Sequence, residues 1–290
     1  RPFLTEDYCD DVEGQMNDGW CCVLDGDAEF TFQEDTLHDL EYYCEDALGN
    51  RNEPDIEWFA VDTQPPVINK TIIGPYIGDC PPESQEDKCF IDTATKIHVE
   101  AVDPEPHPVD HVTCGFEYSV DGVLVFVTRD PSPPPFDIQF PEESEHELTI
   151  VCWDALGNEV RDIETFLVDK TPPVTEKEYV GPFFSDGPIH WISNKTNVTL
   201  SAEDTDQPHP SGVNATYWRN TLVDDENCWN ERLCELNATG SGNWNLYTGP
   251  FQKQEQSCHL IEFFSVDNVN KTEQVNKQCA FVDNSAPIPN

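Results

Sequence analysis

Short runs of alternating apolar and polar residues recur along the chain. Lys96–Ala101 and Asn197–Ala202 alternate with a period of two and are rich in β-branched residues, and Leu148–Cys152 shows the same pattern. Such alternation is typical of β-strands with one buried face. Little in the sequence has the spacing of an amphipathic helix, so the pattern predicts an all-β chain.

A longer repeat contains these strands. Residues 44–66 read CEDALGNRNEPDIEWFAVDTQPP, residues 152–173 read CWDALGNEVRDIETFLVDKTPP, and a diverged third copy occupies 265–287. The Asp, Gly and Asn of DALGN suit a tight turn, so each copy predicts a β-hairpin. The repeat period of about 110 residues is the size of one β-sandwich. The second strands of the three hairpins are expected at Glu57–Val61, Ile163–Val168 and Gln278–Val282.

Proline-rich links separate the repeats. Pro65-Pro66 and Pro172-Pro173 follow the hairpins and would stiffen the chain, so we expect an extended rod of three domains, 1–64, 65–171 and 172–290. Counting back from DALGN leaves the first repeat without the equivalents of its first two strands. Either a preceding part of a longer chain or strands lent by a neighbouring subunit would cover the open sheet edges.

The combined motifs resemble a known family of surface domains. The third repeat carries Tyr247-Thr248-Gly249-Pro250-Phe251, then His259-Leu260, Val266-Asp267-Asn268 and Phe281-Val282-Asp283 at the family's spacing, and the second repeat matches at Pro135-Phe136, His146 and Asp154. This pattern resembles the tandem immunoglobulin-like (Ig-like) domains of bacterial and archaeal cell-surface proteins. The resemblance implies tandem Ig-like β-sandwiches in a surface filament, stalk or adhesin. The extra cysteines and the short first repeat depart from it.

The chain has 12 cysteines, four in each repeat, which predicts disulfides formed outside the cytoplasm. Four cysteines allow three connectivities, so the pairing stays open. A metal or redox role is the rival interpretation, but there is no CxxC motif. The candidate pairs are Cys114–Cys152 and the matching Cys9–Cys44 between facing sheets, Cys80–Cys89 and Cys228–Cys234 around local loops, and Cys258–Cys279 across a hairpin, with Cys21 and Cys22 in a vicinal bridge or bonded elsewhere.

The net charge and the glycosylation motifs indicate which partners are excluded and where the protein is located. A formal charge of −42 excludes nucleic acid as a partner, and no apolar run is long enough for a membrane span. N-x-S/T sequons predict N-linked glycans, and together with the cysteines they favour an extracellular or cell-surface protein. Together with the family resemblance, the sequons imply an archaeal origin. The sequons are at Asn69, Asn194, Asn197, Asn214, Asn237 and Asn270.

Acidic residues concentrate at strand ends and links, where two loops meeting at a domain junction would offer several oxygen ligands to calcium. A solvated acidic surface is the alternative. The candidate calcium ligands are Asp103, Glu105, Asp204 and Asp206, and further aspartates precede the prolines at Asp62 and Asp169.

Taken together, these features favour a non-enzymatic structural protein, a repeating segment of a glycosylated surface filament, pilus-like fibre or stalk that associates with itself. No catalytic motif is present. His107 and His209 recur in Pro-His-Pro strings and are interpreted as loop-packing residues. The alternative function is an adhesin that binds glycan or a protein partner through aromatic residues of the third domain, Trp218, Trp229 and Trp244.

Overall fold

The computed structural model describes the chain except residues 1–5, 25–26, 30, 33, 85, 106–107, 110, 188, 206–207, 224–242 and 289–290. Within the described part, regular structure is β-strand apart from one short helix, α1 (Glu6–Asp11). The predicted all-β class is therefore confirmed, and α1 is the element that the sequence analysis missed. Among the described helices, none has the length and apolar character needed to cross a membrane.

The first repeat consists of α1 and two antiparallel hairpins. A tight hairpin pairs β1 (Gln15–Asn17) with β2 (Trp20–Cys22), and a longer one pairs β3 (Thr36–Tyr42) with β4 (Asp55–Val61). The second hairpin is the one predicted from DALGN. Its turn is held by the Asp46 carboxylate, which accepts hydrogen bonds from the backbone N–H of Leu48 and of Asn50.

The second repeat is a two-layer β-sandwich. One layer is a six-stranded sheet in the order β10-β9-β12-β13-β7-β6, and the other is a three-stranded sheet in the order β11-β8-β5. Neighbouring strands are antiparallel except β13 and β7, which are parallel. The strands are β5 (Val67–Ile73), β6 (Tyr76–Gly78), β7 (Cys89–Ile91), β8 (Lys96–Val102), β9 (Thr113–Val120), β10 (Val123–Val127), β11 (Phe136–Ile138), β12 (Glu145–Trp153) and β13 (Glu159–Val168).

The alternation of apolar and polar residues in the sequence predicts which side chains form the core of this sandwich. Ile97 and Val99 on β8 are fully buried, and Leu148 and Ile150 on β12 face them from the other sheet with 1% exposure each. Truncating one such side chain to alanine typically costs about 2–5 kcal/mol. On β8 the alternate residues Lys96 and Glu100 are exposed, as a period of two requires, whereas Thr149 between Leu148 and Ile150 on β12 is buried.

The third repeat is a second sandwich. A six-stranded sheet has the order β15-β16-β21-β20-β18-β19, and β14 pairs with β17 in the facing layer. Its core includes Val198, Leu200, Ile261 and Phe263. The strands are β14 (Val174–Val180), β15 (Phe183–Asp186), β16 (Ile189–Ile192), β17 (Asn197–Glu203), β18 (Val213–Val223), β19 (Asn245–Leu246), β20 (Cys258–Asp267) and β21 (Asn276–Val282).

Two of the expected disulfides of the second repeat are present. Cys114 and Cys152 join neighbouring strands β9 and β12, which are register partners of one sheet rather than members of facing sheets. Cys80–Cys89 closes the local loop as expected.

The disulfide expected between Cys9 and Cys44 is wrong. Cys9 on α1 is bonded instead to Cys21 on β2, because the tight β1–β2 hairpin folds back onto the helix and brings the two Cα atoms to 5.4 Å. Cys21 and Cys22 are therefore not a vicinal pair. Cys22 and Cys44 carry free thiols and are exposed.

The third repeat differs from its expected pairing too. Cys258 and Cys279 are both disulfide-bonded, but the β20–β21 ladder sets Cys258 opposite Phe281 and Cys279 opposite Leu260. The two cysteines are thus not opposite one another across the hairpin. Cys228 and Cys234 lie outside the described residues.

Candidate metal centres at the repeat junctions

Two triads of aspartate side chains lie where one repeat meets the next. We call Asp62, Asp103 and Asp154 the first junction triad, and Asp169, Asp204 and Asp267 the second. In each triad, one carboxylate oxygen from every member lies within 4.8 Å of those of the other two. The two triads occupy equivalent places in the repeat, so the arrangement occurs twice in one chain.

Three strand ends build the first junction triad. Asp62 directly follows β4 of the first repeat, whereas Asp103 follows β8 and Asp154 follows β12 of the second sandwich. Backbone strands fix all three positions, and the proline link after Asp62 keeps the first repeat close to the second. A ligand of these carboxylates would therefore bridge two repeats.

The DALGN turn orients Asp154. Its Oδ1 accepts hydrogen bonds from the backbone N–H of Leu156, Gly157 and Asn158 at 2.8, 2.7 and 2.9 Å. The amide of Asn158 donates to Asp154 Oδ2 at 2.7 Å and to the backbone carbonyl of Asp62 at 3.3 Å. Burial alone would raise the pKa of Asp154, but these hydrogen bonds outweigh it and lower the pKa, so this carboxylate is ionised.

The second junction triad has the same construction. Asp169 follows β13, Asp204 follows β17, and Asp267 is the last residue of β20. Asp267 Oδ1 accepts hydrogen bonds from the backbone N–H of Val269 at 2.9 Å and of Lys271 at 2.7 Å.

Backbone N–H groups of a neighbouring loop also position this triad. Ser211 N–H donates to Asp169 Oδ2 at 2.8 Å, and Gly212 N–H donates to Asp204 Oδ2 at 2.7 Å. Ser211 belongs to the third repeat and Asp169 directly follows the last strand of the second, so the loop connects the two. A salt bridge between Lys271 and Asp92 crosses the same junction.

Three of the triad aspartates, Asp62, Asp154 and Asp267, are buried and form no ion pair with a lysine or arginine that the structure describes. Asp169 and Asp267 have no exposed surface and Asp62 is 8% exposed. Buried carboxylates at this separation are expected either to take up a proton or to bind a cation.

Individual carboxylate oxygens in the triads lack hydrogen-bond partners. The buried atoms Asp62 Oδ2, Asp103 Oδ1 and Asp267 Oδ2 accept no hydrogen bond. Burial raises the pKa of Asp62, and repulsion by Asp103 adds to the rise. Burial likewise raises the pKa of Asp267 to about 6, with further contributions from Asp169 and Asp204. An unpartnered oxygen in a buried acidic cluster is the arrangement that a bound cation would complete.

The chemistry of the donors favours a hard divalent cation. The three aspartates of a triad offer oxygen atoms only, and neither histidine nor cysteine belongs to either triad. Calcium binds six to eight oxygens in adaptable geometry at about 2.3–2.6 Å, whereas zinc prefers nitrogen and sulfur ligands. Carboxylates on irregular strand ends therefore fit calcium better than zinc.

Calcium binding was predicted for Asp103, Glu105, Asp204 and Asp206, and it stays a prediction. Asp103 and Asp204 belong to the triads, but Glu105 is exposed and is not a member of either, and Asp206 lies outside the described residues. Asp154 and Asp267 were not predicted as candidate ligands, because the sequence motifs that contain them were interpreted as turns only. An aspartate occurs at the end of both β12 and β20, and in the structure each lies beside the aspartate that ends the preceding repeat, Asp62 or Asp169. This recurrence in the sequence could have indicated a shared site.

Other candidate residues have structural contacts. Trp218 stacks on Phe251 with ring centroids 3.8 Å apart, and the Lys253 ammonium lies 4.5 Å from the Trp218 ring, so one face of this ring is covered by Phe251 and is closed to a sugar. Trp244 contacts Phe264 edge to face. Trp229 and His107 lie outside the described residues, and His209 Nε2 is 3.9 Å from Asp121 Oδ1.

The described sequon asparagines differ in exposure. Asn69, Asn214 and Asn270 are exposed, whereas Asn194 and Asn197 are half-buried. Asn237 lies outside the described residues. Glycan attachment at all six stays a prediction.

Comparisons with known proteins yield structural neighbours only. No protein-family model matches the chain, and no curated protein matches it either. Among solved structures, the chain is similar to the fibronectin(III)-like modules of Clostridium thermocellum CbhA, with 13% identity, a TM-score of 0.30 and coverage of 71% of this chain and 93% of that one.

Two other tandem-domain proteins are similar in the same way. The three N-terminal domains of the bacteriophage RB49 Highly Immunogenic Outer Capsid protein show 8% identity and a TM-score of 0.33, covering 86% of this chain and 88% of that one. The tandem Ig repeats of Dlar show 14% identity and a TM-score of 0.19, covering 76% and 98%. The assignment of the fold as tandem β-sandwiches rests on the sheet topology described above.

Proposed function

We propose that this chain is a non-enzymatic extracellular structural protein, a rod-like segment of a surface filament or stalk whose repeat junctions are stiffened by calcium. The observation that supports it best is the pair of buried aspartate triads at equivalent junctions. In both, a strand end of one repeat meets two strand ends of the next. A cation bound there would hold neighbouring repeats in one orientation.

The link between binding and stiffness follows from the positions of the ligands. Asp62 is joined to its own repeat by β4 and to the next by the proline link and by the hydrogen bond from the Asn158 amide, while Asp103 and Asp154 belong to the next repeat. Without a cation, mutual repulsion of three carboxylates, of which those of Asp62 and Asp154 are buried, opposes closure of the junction. With a cation, the same carboxylates favour closure, so calcium would convert a hinge into a rigid connection.

The remaining features suit an extracellular rod. Disulfides such as Cys114–Cys152 form and persist in oxidising compartments, and the negative charge and predicted N-linked glycans would keep a long surface soluble. Self-association into a filament is part of the proposal. Negative-stain imaging of native material tests that part, because dispersed single rods would contradict it.

Calorimetric titration of the full chain with calcium at neutral pH tests the junction sites. We expect two sites with affinities in the range of extracellular calcium modules, about 10⁻⁴–10⁻³ M. Small-angle scattering should show a longer maximum dimension and a narrower range of shapes in calcium than in chelator. No heat of binding, together with scattering that calcium and chelator leave unchanged, would refute the proposal.

A matched pair of variants distinguishes calcium binding at the triads from nonspecific attraction of calcium to an acidic surface. Asp103→Asn should abolish one of the two sites, because it removes a ligand with an unpartnered buried oxygen. Glu105→Gln removes the same charge two residues away on an exposed side chain, and both sites should persist. Equal loss of binding in both variants would point to diffuse counter-ion attraction instead.

A further inference from the structure

Strand β10 is an exposed apolar edge. It is the outermost strand of the six-stranded sheet of the second sandwich, where β9 is its one neighbour in the described sheet. Its five residues, Val123, Leu124, Val125, Phe126 and Val127, are all apolar, and their side chains are between 39% and 65% exposed. In a chain with 25% charged residues and a net charge of −42, this is an unusual composition for a solvent-facing strand.

Strand β10 is held against β9 by its hairpin turn and by contacts between aromatic rings. The turn at Asp121-Gly122 has φ angles of 47° and 78°, the left-handed pair that tight hairpins require. Phe126 stacks on Phe116 and Tyr118 of β9, with ring centroids 5.0 and 5.5 Å apart. The outer backbone groups of β10 therefore have no partner in the described sheet, and the extended segments on either side of the irregularity at Val125 can match another strand.

Edges of this type are normally protected. Natural sheets place charged side chains or prolines within exposed edge strands, because an open apolar edge pairs with other chains. A bulge between Leu124 and Phe126 is the one such device within β10. The apolar composition of this edge is therefore better explained if β10 pairs with a strand of another chain than if it faces solvent.

Charges at the two ends of β10 indicate which partner. Asp121 precedes the strand, Arg129 follows it, and both are exposed. If two copies of β10 pair antiparallel about Val125, then Asp121 of each copy lies beside Arg129 of the other. The strand is thus complementary to itself in charge as well as in its apolar residues.

We propose that β10 pairs edge to edge with β10 of a second copy of this chain, joining two six-stranded sheets into one continuous sheet across a two-fold axis. The inference deepens and rests on the proposed filament or stalk, since it names the surface through which neighbouring rods associate. A contact of five residues is small, so a single pair would be weak, and many copies held side by side would strengthen it by avidity.

Sedimentation of the full chain over a wide concentration range, in chelator, tests the contact. Wild type should show a reversible monomer–dimer equilibrium. Val125→Lys places two like charges at the two-fold axis and should weaken dimerisation about tenfold or more. The control Val180→Lys changes a similarly exposed valine on the edge strand β14 and should leave dimerisation unchanged.

A charge exchange tests the register. Arg129→Glu leaves two acidic ends and Asp121→Arg leaves two basic ends, so each variant alone should be monomeric. Mixed together, they should form a heterodimer, because every acidic end then meets a basic one. Recovery in the mixture also shows that neither variant is merely misfolded, a relevant point since Asp121 bonds Ser144 in its own sandwich.

Several outcomes would overturn the proposal: a wild-type chain that stays monomeric throughout, a dimer that resists Val125→Lys, or a charge-exchanged mixture that remains monomeric. None of these outcomes bears on the calcium sites. Titration of monomeric Val125→Lys with calcium should still detect two sites, so failure of the contact and failure of the proposed junction sites are distinguishable.

Discussion

Replacing Asp267 by asparagine should change stability in opposite directions with and without calcium. Burial and the neighbouring carboxylates raise the pKa of Asp267 to about 6 in the folded chain, against an ordinary aspartate value of about 3.9. At pH 7 the ionised group therefore destabilises the cation-free protein by up to about 3 kcal/mol. The amide in Asp267→Asn would keep an oxygen for the N–H groups of Val269 and Lys271, so the variant should be more stable than wild type in chelator.

In saturating calcium, the order should reverse. A ligand at 100 times its dissociation constant stabilises the folded state by about 2.7 kcal/mol, and Asp267→Asn removes one of three carboxylates that would hold it. Denaturant-dependent hydrogen exchange of β20 reports on the third repeat alone and suits a multidomain chain. Asp283→Asn is the matched control, because Asp283 follows β21 as Asp169 follows β13, yet is exposed.

The reasoning would be refuted by a variant that is less stable than wild type in chelator, since burial of an unneutralised carboxylate could not then be the dominant effect. It would also be refuted if calcium stabilised Asp267→Asn as much as it stabilises wild type. A shift of similar size in Asp283→Asn would show that charge reduction anywhere on this acidic chain produces the effect.

Three further predictions follow from the same structure. Because the folded-state pKa of Asp267 is raised to about 6, the stability of wild type relative to Asp267→Asn in chelator should fall as the pH rises from about 4 to about 6, and calcium should abolish this fall, as thermal unfolding of both proteins across pH can show. The exposed free thiols of Cys22 and Cys44 should both react with a thiol-specific alkylating reagent in the folded chain, and non-reducing peptide mapping that recovers the two in one disulfide would contradict this. The exposed sequons Asn69 and Asn214 should carry glycans, so intact mass should fall on enzymatic deglycosylation and Asn→Gln variants should lose one glycan each.

The alternation of Lys96–Ala101 and the recurring DALGN sequence were sufficient to predict strands β8 and β12 and the hairpin that β12 forms with β13. These are local features, since a period of two and a tight turn are both encoded within a few residues. The helix α1 has only six residues and no amphipathic pattern long enough to detect. Its disulfide partner could not be read from spacing, because Cys21 reaches Cys9 only through the fold of the first hairpin.

The junction triads were only partly predictable for a related reason. Each brings together residues far apart in sequence, and an acidic chain offers many carboxylates at plausible spacings. Asp103 was found because it ends a strand near a link, whereas Asp154 has an evident local role as the acceptor of turn N–H groups. Its second role depends on which strand ends share one side of the sandwich, information that the topology supplies.

Comparison of the three strand-end aspartates shows that the junction, rather than the strand end, buries the charge. Asp62, Asp169 and Asp283 follow equivalent strands, and each accepts a hydrogen bond from the N–H two residues later. Asp62 and Asp169 meet two carboxylates of a following sandwich and are buried, while Asp283 meets none among the described residues and is exposed. Folding would not, on electrostatic grounds alone, bury two carboxylates of the first triad and all three of the second so close to one another. The recurrence of this arrangement at both junctions therefore argues for a cation as the group that makes the closed junction favourable.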